Sequence, residues 1–243
     1  MKLYQKIIKP FYKDFSKLIL DTVFPITCLS CEAEGALICT ECQAQLSKAK
    51  NQICIACKKP TPFGLTHSYC KSPQNPDALI TVFDYHDKKV AKIVIFAKYS
   101  FLPKSYEILG NILSTSLLTD FSNLISTENL VLTPIPLHKW RKRWRGFNQA
   151  QILCNVISQN LNIPVMETLN RIKFTKTQKN LKKEQRLKNI QSAFEIISKT
   201  DIKNKNIILI DDVTTTGATL QEATKILKRN GANKVFCLTV ARD

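Results

Sequence analysis

Residues 207–219 read IILIDDVTTTGAT: four apolar residues, Asp211 and Asp212, then the turn Val213, Thr214, Thr215, Thr216, Gly217, Ala218 and Thr219. Two adjacent carboxylates at a strand end can accept hydrogen bonds from sugar hydroxyls. A threonine-rich turn that opens a helix can wrap backbone N–H groups and hydroxyls around a phosphate, where the helix dipole also favours an anion. Gly217 lets the backbone close in on such a group, as a side chain would not. The carboxyl end of a parallel strand is also where open α/β sheets bind ligands. An acidic pair after a strand is a weak signal by itself. Followed directly by TTTGAT, it is a specific one.

The cysteines form the second pattern. Six of the nine make three C-x-x-C pairs, a spacing that suits a tetrahedral metal better than a disulfide framework. Cys28, Cys31, Cys39 and Cys42 make one four-thiolate set; Cys54, Cys57, His67 and Cys70 repeat it with three thiolates and an imidazole. Each knuckle delivers two ligands to one Zn²⁺, with Zn–S distances of about 2.3 Å. Two structural zincs paired in chain order are expected, with cross-bracing as the alternative pairing. His67 is the least secure ligand, and one filled site instead of two is the competing expectation. Four ligands per site leave no open position for catalysis. Cys154 and Cys237 lie in apolar stretches and read as ordinary buried residues.

Elements must place these groups. Strands are expected near 79–85, 131–135, 207–210 and 234–241, with helices near 87–98, 104–119, 147–160 and 218–230. This alternation predicts an α/β fold with a mostly parallel sheet and helices on both faces. Residues 71–78, KSPQNPDA, read as a linker. Apolar positions 4, 8, 12, 15, 19 and 23 suggest an amphipathic segment interrupted at Pro10. The expected divisions are an N-terminal segment 1–24, a metal module 25–76 and an α/β domain 77–243. No apolar run reaches the ~18 residues of a membrane span, and the first residues lack a signal peptide's apolar stretch and cleavage site. A cytoplasmic protein is therefore expected, with peripheral contact at the inner membrane face as a weaker reading of the basic N-terminal segment. The net charge is +17, and residues 138–188 hold 13 Lys/Arg against 2 Asp/Glu. That balance favours polyanionic partners.

The 207–219 segment resembles the phosphoribosyl pyrophosphate (PRPP) motif of the type I phosphoribosyltransferases. Residues 133–150, TPIPLHKWRKRWRGFNQA, together with Thr177, Gln178, Arg186, Asn189, Ala193, Phe194 and the cysteine module, resemble the ComF competence-protein family. The resemblance spans roughly residues 20–243. It implies a type I phosphoribosyltransferase-like fold behind a double zinc ribbon, and PRPP held with Mg²⁺. In that scheme Asp211 and Asp212 contact ribose, 213–219 hold the 5-phosphate, and Arg143 and Arg145 meet pyrophosphate. Asn148 and Gln149 would fix the loop or contact ribose, and the lysine-rich segment 173–188, with Lys176 and Arg186, would form a hood.

The resemblance also implies handling of incoming single-stranded DNA in natural transformation, beside a helicase or other DNA-uptake proteins. Trp140, Trp144 and Phe147, interleaved with Lys139, Arg141, Lys142, Arg143 and Arg145, suit charge-plus-stacking recognition. The competing reading packs Trp140 and Trp144 into the core as one helix face. Two alternatives stay open for the PRPP loop: transfer of ribose 5-phosphate to an acceptor the sequence does not identify, and PRPP sensing by a regulator.

Overall fold

The computed structural model describes residues 26–100, 102–122, 128–174, 189–198 and 200–242. The N-terminal segment 1–24, Lys176, Thr177, Gln178 and Arg186 lie outside the described residues. The chain divides into two compact units, Met1–Leu46 and Ser47–Asp243.

In the first unit, Cys28 opens a turn closed by Glu32 N–H on the Cys28 carbonyl (2.9 Å). Helix α1 (Thr40–Ala44) follows, and its N-cap is the Cys39 sulfur, which accepts from the Cys42 N–H. Among its described residues, the buried hydrophobic side chains are Cys28, Ile38, Cys42 and Leu46.

The second unit runs β1 (Ala78–Asp84), α2 (Lys88–Tyr99), α3 (Pro103–Asp120), β2 (Leu130–Pro134), α4 (Lys139–Arg145), α5 (Gln149–Leu161), β3 (Leu169–Arg171), β4 (Phe194–Ile196), β5 (Asn206–Thr214), α6 (Ala218–Arg229) and β6 (Lys234–Arg242). Four strands form a parallel sheet in the order β1–β6–β5–β2, and β3 pairs antiparallel with β4. The sheet strands are apolar runs buried almost end to end. That is the pattern of a parallel sheet covered on both faces. Residues 47–52 cover the free edge of β1: Ala49 N–H donates to the Val82 carbonyl (2.9 Å), and the Gln52 amide grips both backbone groups of Thr81. A covered edge has no unpaired row of backbone groups to recruit another strand.

Local chemistry sets the ends of the elements. Asp87 caps α2 by accepting from Lys89 and Val90 N–H groups, a contact whose loss typically costs about 1 kcal/mol. Asn148 caps α5 through Ala150 N–H and also donates to the Ile135 carbonyl (3.0 Å). One side chain thus ties the start of α5 to the end of β2 and sets the path of the loop between them.

Three expectations change. β5 runs to Thr214, four residues past the expected strand, because β6 keeps pairing with it as far as Thr214↔Arg242. The basic segment contains a separate helix, α4, and Trp140 and Trp144 are 60% and 65% exposed, so neither packs into the core. Residues 71–78 are tied down and are no loose linker. Asn75 is buried, its amide donates to the Cys70 carbonyl (2.8 Å), and it receives Gln221 and Lys228 from α6.

Candidate functional site

The last β2–β5 pair is Pro134↔Ile210, whereas β6 accompanies β5 through Asp211, Val213 and Thr214. Asp211 and Asp212 therefore sit where β2 leaves the sheet and its chain turns into α4. The backbone locks both carboxylates from one side: Asp211 Oδ1 accepts from Asp212 N–H (2.8 Å), and Asp212 Oδ1 accepts from Val213 N–H (2.7 Å). Burial, and then the neighbouring Asp212 carboxylate, push the Asp211 carboxyl up to about 7.

Asp212 is buried, and its Oδ2 has no hydrogen-bond partner among the described residues. Lys98, in the last turn of α2, stands 3.5 Å from that oxygen. Burial alone would lower the Lys98 ammonium, but Asp212 and Asp211 outweigh it and hold Lys98 above its usual value. Tyr106 on α3 is 1% exposed, with its buried hydroxyl likewise unpartnered among the described residues. Burial, followed by Asp212, raises the phenol well above its ordinary range. Arg171 on β3 is buried; burial first and Arg141 second bring it down to about 10, while Asp211 pulls the other way. Among the described residues, the carboxylate pair thus has an unbonded buried hydroxyl beside it, and Asp212 Oδ2 is held only by its ion pair with Lys98. Such a corner suits a polyhydroxylated ligand with a bound Mg²⁺, because both need oxygen partners. Lys98, Tyr106 and Arg171 were not singled out from sequence. No local pattern marks them, since they come from two helices and a strand of the separate β3–β4 pair, which only the tertiary fold brings to one corner.

The turn after the acids has the shape a phosphate cradle needs. Gly217 is the N-cap of α6 at φ 83°, and having no side chain it contributes no cap bond of its own. Thr214 is buried; Thr215, Thr216 and Thr219 are half-buried, and Thr216 Oγ1 accepts from Ala218 N–H at 3.3 Å. A Cβ at Gly217 would fall 2.9 Å from Ile55 Cγ1, so the neighbour that excludes a side chain here is protein. The two arginines expected to meet pyrophosphate differ in their surroundings. Arg145 Nη1 donates to Gln149 Oε1 (2.7 Å), and its charge reaches Tyr106. Arg143 is exposed and lies over the Trp140 ring at 6.0 Å. Phe147 is half-buried against Tyr106, with ring centroids 6.0 Å apart, and so is not part of the exposed aromatic surface. Phe174, overlooked in the sequence, joins that surface: it is exposed, with Arg141 over its ring and His138 edge-on to it.

Each cysteine set gathers in chain order, with its four donor atoms within 4.8 Å of one another: Cys28, Cys31, Cys39 and Cys42 in the first unit, Cys54, Cys57, His67 and Cys70 in the second. Tetrahedral zinc at 2.3 Å separates two sulfurs by about 3.8 Å, and Cys31 Sγ lies 3.6 Å from Cys39 Sγ. His67 turns Nδ1 towards Cys57 Sγ at 3.3 Å. Burial raises the Cys54 thiol, but N–H groups of Cys57, His67 and Ala56 outweigh it and bring it down to about 6. Both sites fit the donor set of a double zinc ribbon.

Known families agree with this anatomy. A phosphoribosyl transferase domain model matches residues 148–243, and a double zinc ribbon domain model matches residues 19–73. Competence protein ComFC of Bacillus subtilis is 30% identical over 217 residues, 85% of this chain and 84% of that protein. DNA utilization protein YhgH of Escherichia coli K12 is 30% identical over 231 residues, 88% of this chain and 96% of that one. The chain belongs to the ComF competence-protein family. Competence protein F of Haemophilus influenzae, 28% identical, covers 84% of this chain and 96% of its own length. For a ComF-family chain, the fold is thus a type I phosphoribosyltransferase-like parallel sheet preceded by a cysteine-rich ribbon module. Among the described residues, no helix is long and apolar enough to cross a membrane.

Proposed function

We propose that this ComF-family chain binds PRPP with Mg²⁺ at the β5–α6 turn and handles single-stranded DNA on the α4 surface during natural transformation. The observation that carries the first half is the continuous run from the Asp211–Asp212 pair through the threonine turn into the glycine-capped N-terminus of α6. Asp211 and Asp212 would accept from ribose hydroxyls, residues 213–219 would hold the 5-phosphate, and Arg145 would face pyrophosphate. Arg143, Lys176 and Arg186 belong to the same proposal as charges around the pyrophosphate. Mg²⁺ bound with PRPP would supply charge neutralisation for its phosphate oxygens. The eight ligands Cys28, Cys31, Cys39, Cys42, Cys54, Cys57, His67 and Cys70 would hold two structural zincs.

The second half rests on Trp140 and Trp144. They lie one turn apart on α4, a helix with no buried residue, among Lys139, Arg141, Lys142 and Arg143. Exposed aromatics spaced through a basic surface give every base a stacking platform whatever its identity. The relatives' names, competence protein and DNA utilization protein, match such a role, with a helicase or another DNA-uptake protein as the expected neighbour.

Calorimetry tests the ligand. Wild-type protein should bind PRPP with Mg²⁺ saturably and lose the binding on Asp211→Asn with Asp212→Asn; a wild type that shows no heat overturns the reading. Pyrophosphate release in the presence of candidate bases and amines would convert binding into transfer. A flat trace keeps PRPP as a bound effector.

A further inference from the structure

The second cysteine set reaches beyond its own loops. Ile55, between Cys54 and Cys57, is 1% exposed and shares one buried cluster with Leu209, Ala218 and Leu220 around the phosphate turn. Its Cγ1 closes the space beside Gly217. Lys58, directly after Cys57, donates from Nζ to the Thr216 carbonyl at 2.8 Å. A trans peptide is planar, with its C=O and N–H pointing opposite ways. Fixing the Thr216 carbonyl on Lys58 therefore also fixes the direction of the Gly217 N–H, at the start of α6.

Lys58 has little freedom to do otherwise. Its own N–H donates to the Cys54 carbonyl at 3.0 Å, and its φ of 64° is set by the knuckle turn. Glu32 has the same conformation in the first knuckle, so what distinguishes Lys58 is its partner and not its backbone. A second tie runs from the other end of the set: the Cys70 carbonyl accepts from Asn75, whose Oδ1 accepts from Gln221 in the first turn of α6 (2.7 Å). The helix that would hold the phosphate is thus held at both ends of its first turn by the second ligand set.

We propose that the Cys54–Cys57 knuckle of the second ligand set is a structural part of the phosphate turn, with Lys58 as the positioning residue that orients the Thr216–Gly217 peptide. Metal at Cys54, Cys57, His67 and Cys70 and anion at 214–219 then stabilise each other. The anion half of this statement rests on the PRPP reading above; the orientation half does not. Coupling of this kind is reciprocal: whatever factor the metal adds to anion affinity, the anion adds to metal retention.

Full-length zinc-loaded protein provides the test. In Lys58→Met, at unchanged zinc content, backbone hydrogen exchange across 214–219 should accelerate roughly tenfold, the scale of one charge-assisted hydrogen bond. Lys58→Arg should restore most of the protection, which a merely destabilising change would not do. PRPP with Mg²⁺ should slow release of one zinc to a chromogenic chelator several-fold in wild type and not in Lys58→Met. Unchanged exchange in Lys58→Met, or zinc release indifferent to PRPP in protein that binds it, overturns the proposal. A wild type that does not bind PRPP removes the ligand reading only, and the exchange measurement then decides the coupling alone. Should Lys58→Met fail to fold, Ile55→Val, which trims the contact with Gly217, carries the same exchange test.

Discussion

Asp211 and Asp212 are two adjacent carboxylates in a closed corner, an arrangement that burial and mutual repulsion both oppose. The corner is tolerated because Lys98 sits 3.5 Å from Asp212 and because Asp211 is pushed up to about 7. The direction has a consequence for stability. Asp211 ordinarily titrates at 3.8, so between that value and about 7 the folded chain holds a proton the unfolded chain has lost, and stability falls as pH rises through this window. Asp211→Asn removes that loss. Its melting temperature should exceed wild type near pH 8, by ~2–4 °C per kcal/mol relieved, and match it near pH 4. A difference that is constant between the two pH values would show that Asp211 does not titrate there. Lys98→Met should have the opposite sign. It strands the Asp212 carboxylate, which is largely buried, at a cost of about 2–3 kcal/mol. Denaturant titration should recover part of that loss in Lys98→Met with Asp212→Asn, because the two residues share one interaction. Simple additivity would separate them.

At the scale of elements, the first ribbon is the part most dependent on its ligands. Among its described residues, two of the four buried hydrophobic side chains are cysteines of the metal set, leaving Ile38 and Leu46 as the aliphatic core. Two aliphatic side chains contribute only ~3–6 kcal/mol, well short of the ordering entropy of some twenty residues. For the described residues 26–46, metal is therefore expected to supply most of the folding free energy. Elemental analysis should find two zincs per chain, and chelation should abolish exchange protection in residues 26–46 while the β5–β6 strands keep theirs; protection that persists without metal would contradict this. The same scale shows how far the sequence was legible. Strands and helices of the α/β unit were readable because their apolar periods are long and regular, and the ligand sets because knuckle spacing is fixed by coordination. The end of β5 was not, since pairing with β6, not composition, carries the strand past Asp211 to Thr214. Nor was the fixed 71–78 segment: its prolines signal irregular backbone, but the bonds of Asn75 to Gln221 and Lys228 arise only once α6 is in place. Lys98, Tyr106 and Lys58 join the site across the fold in the same way.

For the whole molecule, charge sets how it meets a polyanion. The net charge of +17 includes a surplus of 11 across residues 138–188, and α4 carries part of it on a short helix whose two tryptophans face solvent. Charge and stacking make separable contributions to single-strand binding. Each phosphate neutralised by Lys or Arg adds about −0.7 to the slope of log K against log salt for a single strand. Stacking is insensitive to salt and is worth about 1–3 kcal/mol per base. Lys142 and Arg143 are exposed and Arg143 lies over Trp140, so the two contributions can be removed by neighbouring substitutions. Lys142→Ala with Arg143→Ala should make the salt slope shallower by up to about 1.4. Trp140→Ala with Trp144→Ala should leave the slope unchanged and lower affinity at every salt concentration, by at least about tenfold. Fluorescence anisotropy with a short oligonucleotide between about 50 and 200 mM salt separates the two effects. Equal slopes for all three proteins would remove Lys142 and Arg143 from the phosphate contacts, and Trp variants that bind like wild type would remove stacking. Both results together would turn the search for a DNA surface to other basic segments, because the exposed face formed by Trp140, Lys142, Arg143 and Trp144 would then supply neither part of the recognition that its residue types predict.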